Sequence, residues 1–144
     1  MGEQKVKTIE GSSDAAAAPV KRAAKKSKRQ VQSGRIYIRS SYNNTIVTVT
    51  DQAGGVLVWG SAGLAGFKGS KKSTPYAAQR IIEDLVGKMK NLGFQEAEIY
   101  IRGIGSGRES AVRALLSAGI KVSSIKDLTP VPHGGVRPKK PRRV

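Results

Sequence analysis

The sequence predicts one α/β domain, built as a mixed five-stranded sheet with two helices packed on it. Two observations predict this fold class. Three strand-like segments follow one another on short turns within residues 35–59, and segments of helical periodicity then alternate with single strand-like segments as far as residue 125. The length of 144 residues fits one domain with tails.

The first three strands are predicted to form an antiparallel meander. Apolar and polar residues alternate in residues 35–40, and every residue from 45 to 50 is β-branched, which favours strands in both segments. Residues 56–59 form the third strand. The turns between them are predicted at Asn43-Asn44, where Asn tolerates a positive φ, and at residues 51–55.

Two helices and two more strands complete the predicted domain. The first helix is expected to begin after Thr74, its N-cap, and to stop at Gly93. Ser106 and Glu109 have the spacing of a capping box, which predicts the start of a second helix that ends at Gly119. The strands after these helices are residues 96–101 and 120–125.

The chain is strongly basic, with 26 Lys and Arg residues against 10 Asp and Glu residues and a formal net charge of +16. Composition divides it into a basic N-terminal arm (residues 1–34), the domain (residues 35–128) and a basic C-terminal tail (residues 129–144). We expect the arm to be disordered and the Pro-rich tail to be extended. The charge predicts a polyanionic partner, either nucleic acid or an anionic membrane surface.

Composition also excludes several classes of site. The chain has no Cys, which removes disulfides, thiolate metal sites, iron–sulfur clusters and Cys nucleophiles, and its one His cannot form a His-rich metal site. We therefore expect no cofactor and no metal. We recognise neither a secretory signal nor a run of about 20 apolar residues, so we expect a cytoplasmic protein.

Residues 60–73 form the first of three loops that could bind phosphate or RNA. The loop is rich in Gly and leads into a helix N-terminus, an arrangement that favours anions. Its charges and hydroxyl donors include Lys68, Lys71, Lys72 and Ser70, and Phe67 either stacks on a base or fills the core. The loop lacks the P-loop spacing, and a flexible loop with chance lysines is the alternative.

The second loop, residues 102–108, lies between a strand and a helix. Arg102 and Arg108 flank Gly103 and Gly105, but Arg108 stands where a dinucleotide fingerprint has its third Gly. A phosphate of a polymer backbone is the favoured ligand, with a tight turn as the alternative. In the third loop, residues 40–45, Asn43, Asn44 and Thr45 suit contacts to ribose hydroxyls or base edges, although turn chemistry alone explains the Asn pair equally well.

Catalysis finds little support in the sequence. His133 is the only imidazole and lies in the tail, without an evident partner. Glu96 and Glu98 share a strand face at two-residue spacing, which could suggest a metal pair, but two exposed acids at a sheet edge explain them better. The first strand carries no acid, so we expect that the protein is not an enzyme.

Four separate motifs give the chain a family resemblance. They are residues 43–51, residues 66–78, the Gly107-Arg108-Glu109-Ser110 run, and residues 127–133 together with the terminal Arg142-Arg143-Val144. In this order they resemble the eleventh family of small-subunit ribosomal proteins, in its bacterial form. The resemblance covers about residues 30–144.

The resemblance implies a three-layer α/β/α fold similar to ribonuclease H, without its activity. It implies a structural constituent of the small ribosomal subunit that binds 16S rRNA on the platform, bridges several rRNA helices and helps form the mRNA (Shine-Dalgarno) cleft. The implied neighbours are the seventh and eighteenth small-subunit proteins, mRNA and initiation factor three. We expect no membrane contact and no homo-oligomer.

The residues expected to contact RNA come from the three loops and the tail. They are Asn43, Asn44, Thr45, Phe67, Lys68, Ser70, Lys71, Lys72, Arg102, Gly103, Gly105, Arg108, His133, Arg137, Lys139, Lys140, Arg142 and Arg143. Two other functions compete with this one. A free nucleic-acid binder usually has several exposed aromatic residues on which bases stack. This chain has only seven aromatic residues in all, and several of them must fill the core. A ribonuclease H-like enzyme would need the acids that the first strand lacks.

Overall fold

The computed structural model describes residues 30–140, which contain five strands, two α-helices and one short 3-10 helix. In chain order they are β1 (Ser33–Ser40), β2 (Thr45–Asp51), β3 (Val56–Ser61), the 3-10 helix (Gly69–Ser73), α1 (Pro75–Lys90), β4 (Glu96–Arg102), α2 (Gly107–Ser117) and β5 (Lys121–Asp127). The predicted mixed sheet with two helices is confirmed. None of the helices in this range is long and apolar enough to cross a membrane.

The sheet has the strand order β3-β2-β1-β4-β5. Short turns make β1 antiparallel to β2 and β2 antiparallel to β3. β4 is parallel to both β1 and β5, and α2 forms the crossover between β4 and β5. The carboxyl ends of β1, β3, β4 and β5 therefore meet at one edge of the sheet, which we call the carboxyl edge.

The hydrophobic core lies between one face of the sheet and the two helices. Ile36, Val49 and Ile99 occupy paired positions on three neighbouring strands and are fully buried. Leu85 and Met89 of α1 are buried with them in one cluster. Burying a side chain of this size stabilises the fold by about 1.5–3 kcal/mol. The alternation of buried and exposed residues along β1 therefore sets which face of the sheet the helices cover.

Both helices lie on that same face, because α1 packs against α2 as well as against the sheet. Residues 30–140 therefore form two layers, whereas the resemblance implied three. The physical reason is visible on the opposite face, where Arg39, Arg102 and Lys126 are exposed. Charged side chains at these positions leave no continuous apolar surface for a helix on that side.

The start of α2 differs from the prediction. Ser106 does not cap the helix; its hydroxyl donates a hydrogen bond to the carbonyl oxygen of Ser73, 2.8 Å away. Ser106 has helical dihedral angles, with φ −67° and ψ −12°, whereas a capping residue has extended ones. Glu109 accepts a hydrogen bond from Arg113 at 3.3 Å. The predicted capping box is wrong because its two side chains have other partners.

The start of α1 is confirmed. The Thr74 hydroxyl oxygen accepts a hydrogen bond from the amide of Ala77 at 3.3 Å, and Pro75 is the first helical residue. The predicted turn at Asn43-Asn44 is present, but no non-glycine residue within 30–140 has a positive φ. Ser41 closes the turn instead, since its amide donates to the Asn44 carbonyl at 2.9 Å.

The predicted domain boundary is also shifted. Ser33 and Gly34, which composition assigned to the arm, are the first residues of β1. Residues 1–29 of the arm and residues 141–144 of the tail lie outside the described residues. The described part of the tail, residues 129–140, contains no helix or strand, and all of it beyond the half-buried Thr129 is exposed.

Candidate nucleic-acid interface

The three predicted loops and the start of the tail all meet at the carboxyl edge. The amide of Gly105 donates to the carbonyl of Ser40 at 3.1 Å, which joins the second loop to the third. The bond from Ser106 to Ser73 joins the second loop to the first. The amide of Gly103 donates to the Thr129 hydroxyl at 3.1 Å and attaches the tail to the same place. Four segments far apart in sequence thus form one surface.

Lys68, Lys71 and Lys72 supply all of the positive charge of the first loop. Lys71 and Lys72 lie on the 3-10 helix and Lys68 immediately precedes it; Lys68 and Lys71 are exposed and Lys72 is half-buried. The four ion pairs of residues 30–140 involve none of them. Ser70 is exposed beside them. The binding of phosphate by these residues remains a prediction.

Phe67 anchors the first loop. Its ring packs edge-on against Tyr76 of α1, with 5.9 Å between ring centroids and 85° between planes. Phe67 is half-buried against the core, while Tyr76 is 64% exposed. The sequence left two roles open for Phe67, stacking on a base or filling the core, and this packing agrees with the second role. Tyr76 is the ring that faces solvent, and sequence reasoning missed it.

The glycines of the second loop are needed for close packing against the end of β1. A Cβ atom at Gly103 would overlap the carbonyl oxygen of Ser40, and one at Gly105 would overlap the Ser40 hydroxyl and the Ser41 carbonyl. Gly103 also has a φ of 104°, which favours glycine. Because both amides already donate within the protein, neither is free to donate to a phosphate at this loop.

Arg108 is tied into the protein itself. Its guanidinium donates to the Gly103 carbonyl at 2.5 Å and to the Asp127 carboxylate. Hydrogen bonds from the hydroxyl and amide of Thr129, and then from Arg108, lower the pKa of Asp127 below its ordinary value. Arg108 therefore links α2 to the second loop and to β5. Arg102, at the other end of the loop, is exposed and has no ion pair within the described residues.

The third loop presents one of its three predicted residues fully. Asn43 is exposed at the tip, while Asn44 is half-buried. The Asn44 side-chain oxygen is buried without a hydrogen-bond partner in the described residues. Thr45 is fully buried beside the Ser40 hydroxyl, 3.2 Å away, so it lies beneath the surface and supports the turn. The burial of Thr45 contradicts its predicted direct contact with RNA. The alternation of buried and exposed residues along β2 could have indicated this burial.

Four predicted tail residues, His133, Arg137, Lys139 and Lys140, are exposed. Arg142 and Arg143 lie outside the described residues. Sequence reasoning missed Arg39 and Tyr42, which line a groove of about 360 Å³ together with Arg102, Ile104 and Pro130. The sequence signal for Arg39 was the alternation along β1, which places it on the face of the strand opposite to that of Ile36 and Ile38.

Most acidic residues within 30–140 lie away from the carboxyl edge, and the two that lie near it, Glu109 and Asp127, are each paired with an arginine. Asp51 and Glu96 lie at the opposite edge, at the end of β2 and the start of β4. Glu98 lies 3.7 Å from Arg35 and accepts a hydrogen bond from Tyr100. β4 lies between β1 and β5, so the prediction that Glu96 and Glu98 mark a sheet edge is wrong. Residues 30–140 contain no cluster of His, Asp and Glu that could hold a metal ion.

Comparison with known proteins identifies the family. The family model for ribosomal protein S11 matches residues 34–143. The small ribosomal subunit protein uS11 of Borreliella burgdorferi is 55% identical over 120 residues, which cover 83% of this chain and 92% of that relative. The uS11 protein of Thermus thermophilus is also 55% identical over 120 residues, covering 83% and 93% of the two chains. The chain therefore belongs to the ribosomal protein S11 family.

Proposed function

We propose that this protein binds 16S rRNA on the platform of the small ribosomal subunit, where it bridges several rRNA helices and helps form the mRNA (Shine-Dalgarno) cleft. Family membership gives the coarser function directly: the protein is a structural component of the small subunit in the cytoplasmic ribosome, binds rRNA and is not an enzyme. The platform, the bridging and the cleft are the proposal. The carboxyl edge supplies the surface for it.

The observation that carries the proposal is the group of lysines at the 3-10 helix. Lys68, Lys71 and Lys72 have no acidic partner within residues 30–140, and Phe67 fixes the loop that bears them against Tyr76. Binding to phosphate releases counterions, which favours association. Because the loop is already held in place, less conformational entropy is lost on binding. The lysines are therefore suited to one fixed stretch of RNA backbone.

Bridging follows from the path of the tail. Thr129 holds the tail against Gly103, and the exposed residues beyond it carry Arg137, Lys139 and Lys140. A basic segment without helix or strand can follow a groove between RNA helices that the domain cannot enter. The lysines at the 3-10 helix and the tail thus offer two separate sets of phosphate contacts, as a bridge between helices requires.

We also propose the neighbours that the resemblance implies. These are the seventh and eighteenth small-subunit proteins, mRNA close by, and initiation factor three. We expect neither a homo-oligomer nor a membrane surface as partner. Chemical cross-linking in purified small subunits tests the protein neighbours. Cross-links only to proteins other than these would contradict the proposed neighbours. They would not affect the proposal that the protein binds rRNA.

The first experiment is sedimentation of a lysate through a sucrose gradient, with this protein followed by mass spectrometry. We expect it in the small-subunit fractions after a high-salt wash. Hydroxyl-radical footprinting of 16S rRNA with and without the protein then locates the contacts, and protection confined to one helix would contradict bridging. Sedimentation with free protein or with the nucleoid would favour the free nucleic-acid binder.

The second experiment tests the lysines. We expect Lys68→Ala, Lys71→Ala and Lys72→Ala together to weaken binding to small-subunit rRNA and to reduce the slope of log affinity against log salt by up to about 2. The control replaces two exposed lysines that lie toward the opposite edge of the sheet, Lys90 at the end of α1 and Lys121 at the start of β5. An equal loss of slope in both variants would contradict a localised site.

A further inference from the structure

The sheet face opposite the helices, which we call the open face, carries no helix within residues 30–140 and meets the interface described so far only at the groove lined by Arg39 and Arg102. Its side chains form rows across the strands, because paired residues point to the same side. One row has a residue from every strand: Trp59, Thr48, Tyr37, Tyr100 and Lys126. The next row toward the carboxyl edge contains Ser61, Ile46, Arg39 and Arg102.

Three residues of the first row, Tyr37, Tyr100 and Lys126, are already in contact with one another. The rings of Tyr37 and Tyr100 stack with 5.1 Å between centroids and 16° between planes. The Lys126 ammonium lies 5.5 Å from the centroid of Tyr100. Both faces of Tyr100 are therefore covered, so this ring offers no face on which a base could stack, whereas Trp59 in the same row is 55% exposed.

The second row contains an unusual pair. Arg39 of β1 and Arg102 of β4 are direct partners in the parallel register, and neighbouring strands lie only about 4.8 Å apart. Both arginines are exposed, and the ion pairs found in residues 30–140 include neither. Like charges directly opposite each other on a sheet are destabilising. An anion bound between the two guanidinium groups would remove this repulsion.

The surroundings of the pair indicate what kind of anion would fit. Arg39 and Arg102 line the groove at the carboxyl edge together with Tyr42 and Ile104, which are 72% and 60% exposed. Guanidinium groups bind phosphate oxygens with fixed, paired hydrogen bonds, and an exposed aromatic ring offers a face to an unpaired base. A phosphate and the base attached to it thus find complementary groups within one groove.

We propose that Arg39 and Arg102 together clamp one backbone phosphate of an unpaired rRNA segment, whose neighbouring base lies against Tyr42. This proposal rests on the proposed function and makes it more specific, because it extends the RNA contact from the carboxyl edge onto the open face. Charge favours RNA over a protein partner, because the open face has more basic than acidic residues. The basic residues are Arg35, Arg39, Arg102, Lys121 and Lys126, and the acidic ones are Glu96 and Glu98, of which Glu98 is paired with Arg35.

The test uses the full-length protein, small-subunit rRNA as the probe, and the variants Arg39→Gln, Arg102→Gln and both together. We expect each single variant to lose roughly tenfold in affinity, the effect of one charged hydrogen-bonded contact. The salt slope should fall by about 0.7–0.9, the contribution of one phosphate. The double variant should lose little more than either single variant, since both arginines hold the same phosphate.

Two controls keep this result separate from the proposed function. Arg113→Gln removes an exposed arginine from α2 and should leave affinity and slope unchanged. If the wild-type protein shows no salt-dependent binding, the proposed function fails. If it binds and the lysine variant responds while Arg39→Gln does not, only the clamp is refuted. Fully additive losses in the double variant would also overturn a shared phosphate.

The remaining outcome is a protein on this face. Unchanged rRNA binding by Arg39→Gln, combined with reduced incorporation into reconstituted small subunits, would overturn the proposal in favour of an acidic protein neighbour. Photo-cross-linking of the complex supplies an independent readout. A cross-link from Tyr42 to an RNA base supports the clamp, and a cross-link only to protein contradicts it.

Discussion

The Ser106 hydroxyl donates a hydrogen bond to the carbonyl oxygen of Ser73, and this bond joins the approach to α2 to the approach to α1. The two residues are 33 positions apart in the chain. Their contact brings the lysine-bearing first loop against the glycine-containing second loop. The arrangement of the carboxyl edge therefore depends on a tertiary hydrogen bond, formed by a residue whose local sequence indicates a helix cap.

Replacing Ser106 tests that assignment. We expect Ser106→Ala to lower the free energy of unfolding by about 1 kcal/mol, the contribution of one hydrogen bond. Glu109→Gln should change it by less than about 0.5 kcal/mol, because an exposed pair one helical turn apart contributes little. Urea denaturation measures both. A large, equal and non-additive loss in the two variants would instead indicate a capping box.

Replacement by Ala should lower the stability of the protein at Gly105 and raise it at Gly87. Gly105→Ala introduces a Cβ atom into the space occupied by Ser40 and Ser41, and we expect a loss of about 1–3 kcal/mol. Gly87 lies within α1 with no atom within 4 Å of an added Cβ, so Gly87→Ala should stabilise the protein by about 0.5–1 kcal/mol. Thermal unfolding of both variants checks the signs, and a neutral Gly105→Ala would contradict close packing.

The stability of the protein should depend on pH through Asp127. Hydrogen bonds from Thr129 and Arg108 lower the pKa of this carboxyl, so its ionised form stabilises the folded state. That contribution is complete above the ordinary pKa of about 3.9 and is lost as the pH falls through the lowered folded value. We expect Asp127→Asn to be less stable than wild type at pH 7.

The difference between Asp127→Asn and wild type should shrink as the pH falls below about 4, because the wild-type carboxyl then takes up a proton as well. Denaturant midpoints measured at pH 7 and across pH 2–4 give both values. A difference that stays constant over that range would show that the ionisation of Asp127 is not the cause.

Repulsion within the Arg39–Arg102 pair predicts a gain in stability. Without RNA, Arg39→Gln should raise the free energy of unfolding by about 0.2–1 kcal/mol, since it removes one of two like charges on neighbouring strands. The gain should decline at high salt, which screens exposed charges. Arg113→Gln, which breaks an attractive pair, should show no such gain. Destabilisation by Arg39→Gln at low salt would contradict repulsion.

The features that the sequence predicted well depend on local patterns. Alternation in residues 35–40 identified the buried face of β1, and Thr74 followed by Pro75 located the start of α1. The capping box at Ser106 was wrong because a distant carbonyl competes for its hydroxyl. The turn at Asn44 is closed by Ser41, a choice that composition alone does not reveal.

The candidate interface was only partly predictable for the same reason. The lysines of the first loop could be predicted as surface residues, because lysine side chains are rarely buried. The pairing of Arg108 with Asp127 could not, because it depends on where β5 ends. The burial of Thr45 follows from the face of β2 that meets the helices. The pairing of Arg39 with Arg102 could not be predicted from local sequence, because β4 follows β1 only after two further strands and a helix.

The parallel pairing of β1 with β4 has a consequence for folding. Ser40 and Gly105 meet only after a non-local contact closes, and contacts of this kind form slowly because the loop-closure entropy must be overcome first. A nascent chain that ends before β4 already carries the lysines of the first loop, yet has no second loop to set beside them. The carboxyl edge is therefore completed late in folding, and a truncated copy that ends before β4 keeps the charge of the first loop without the second loop that packs against it.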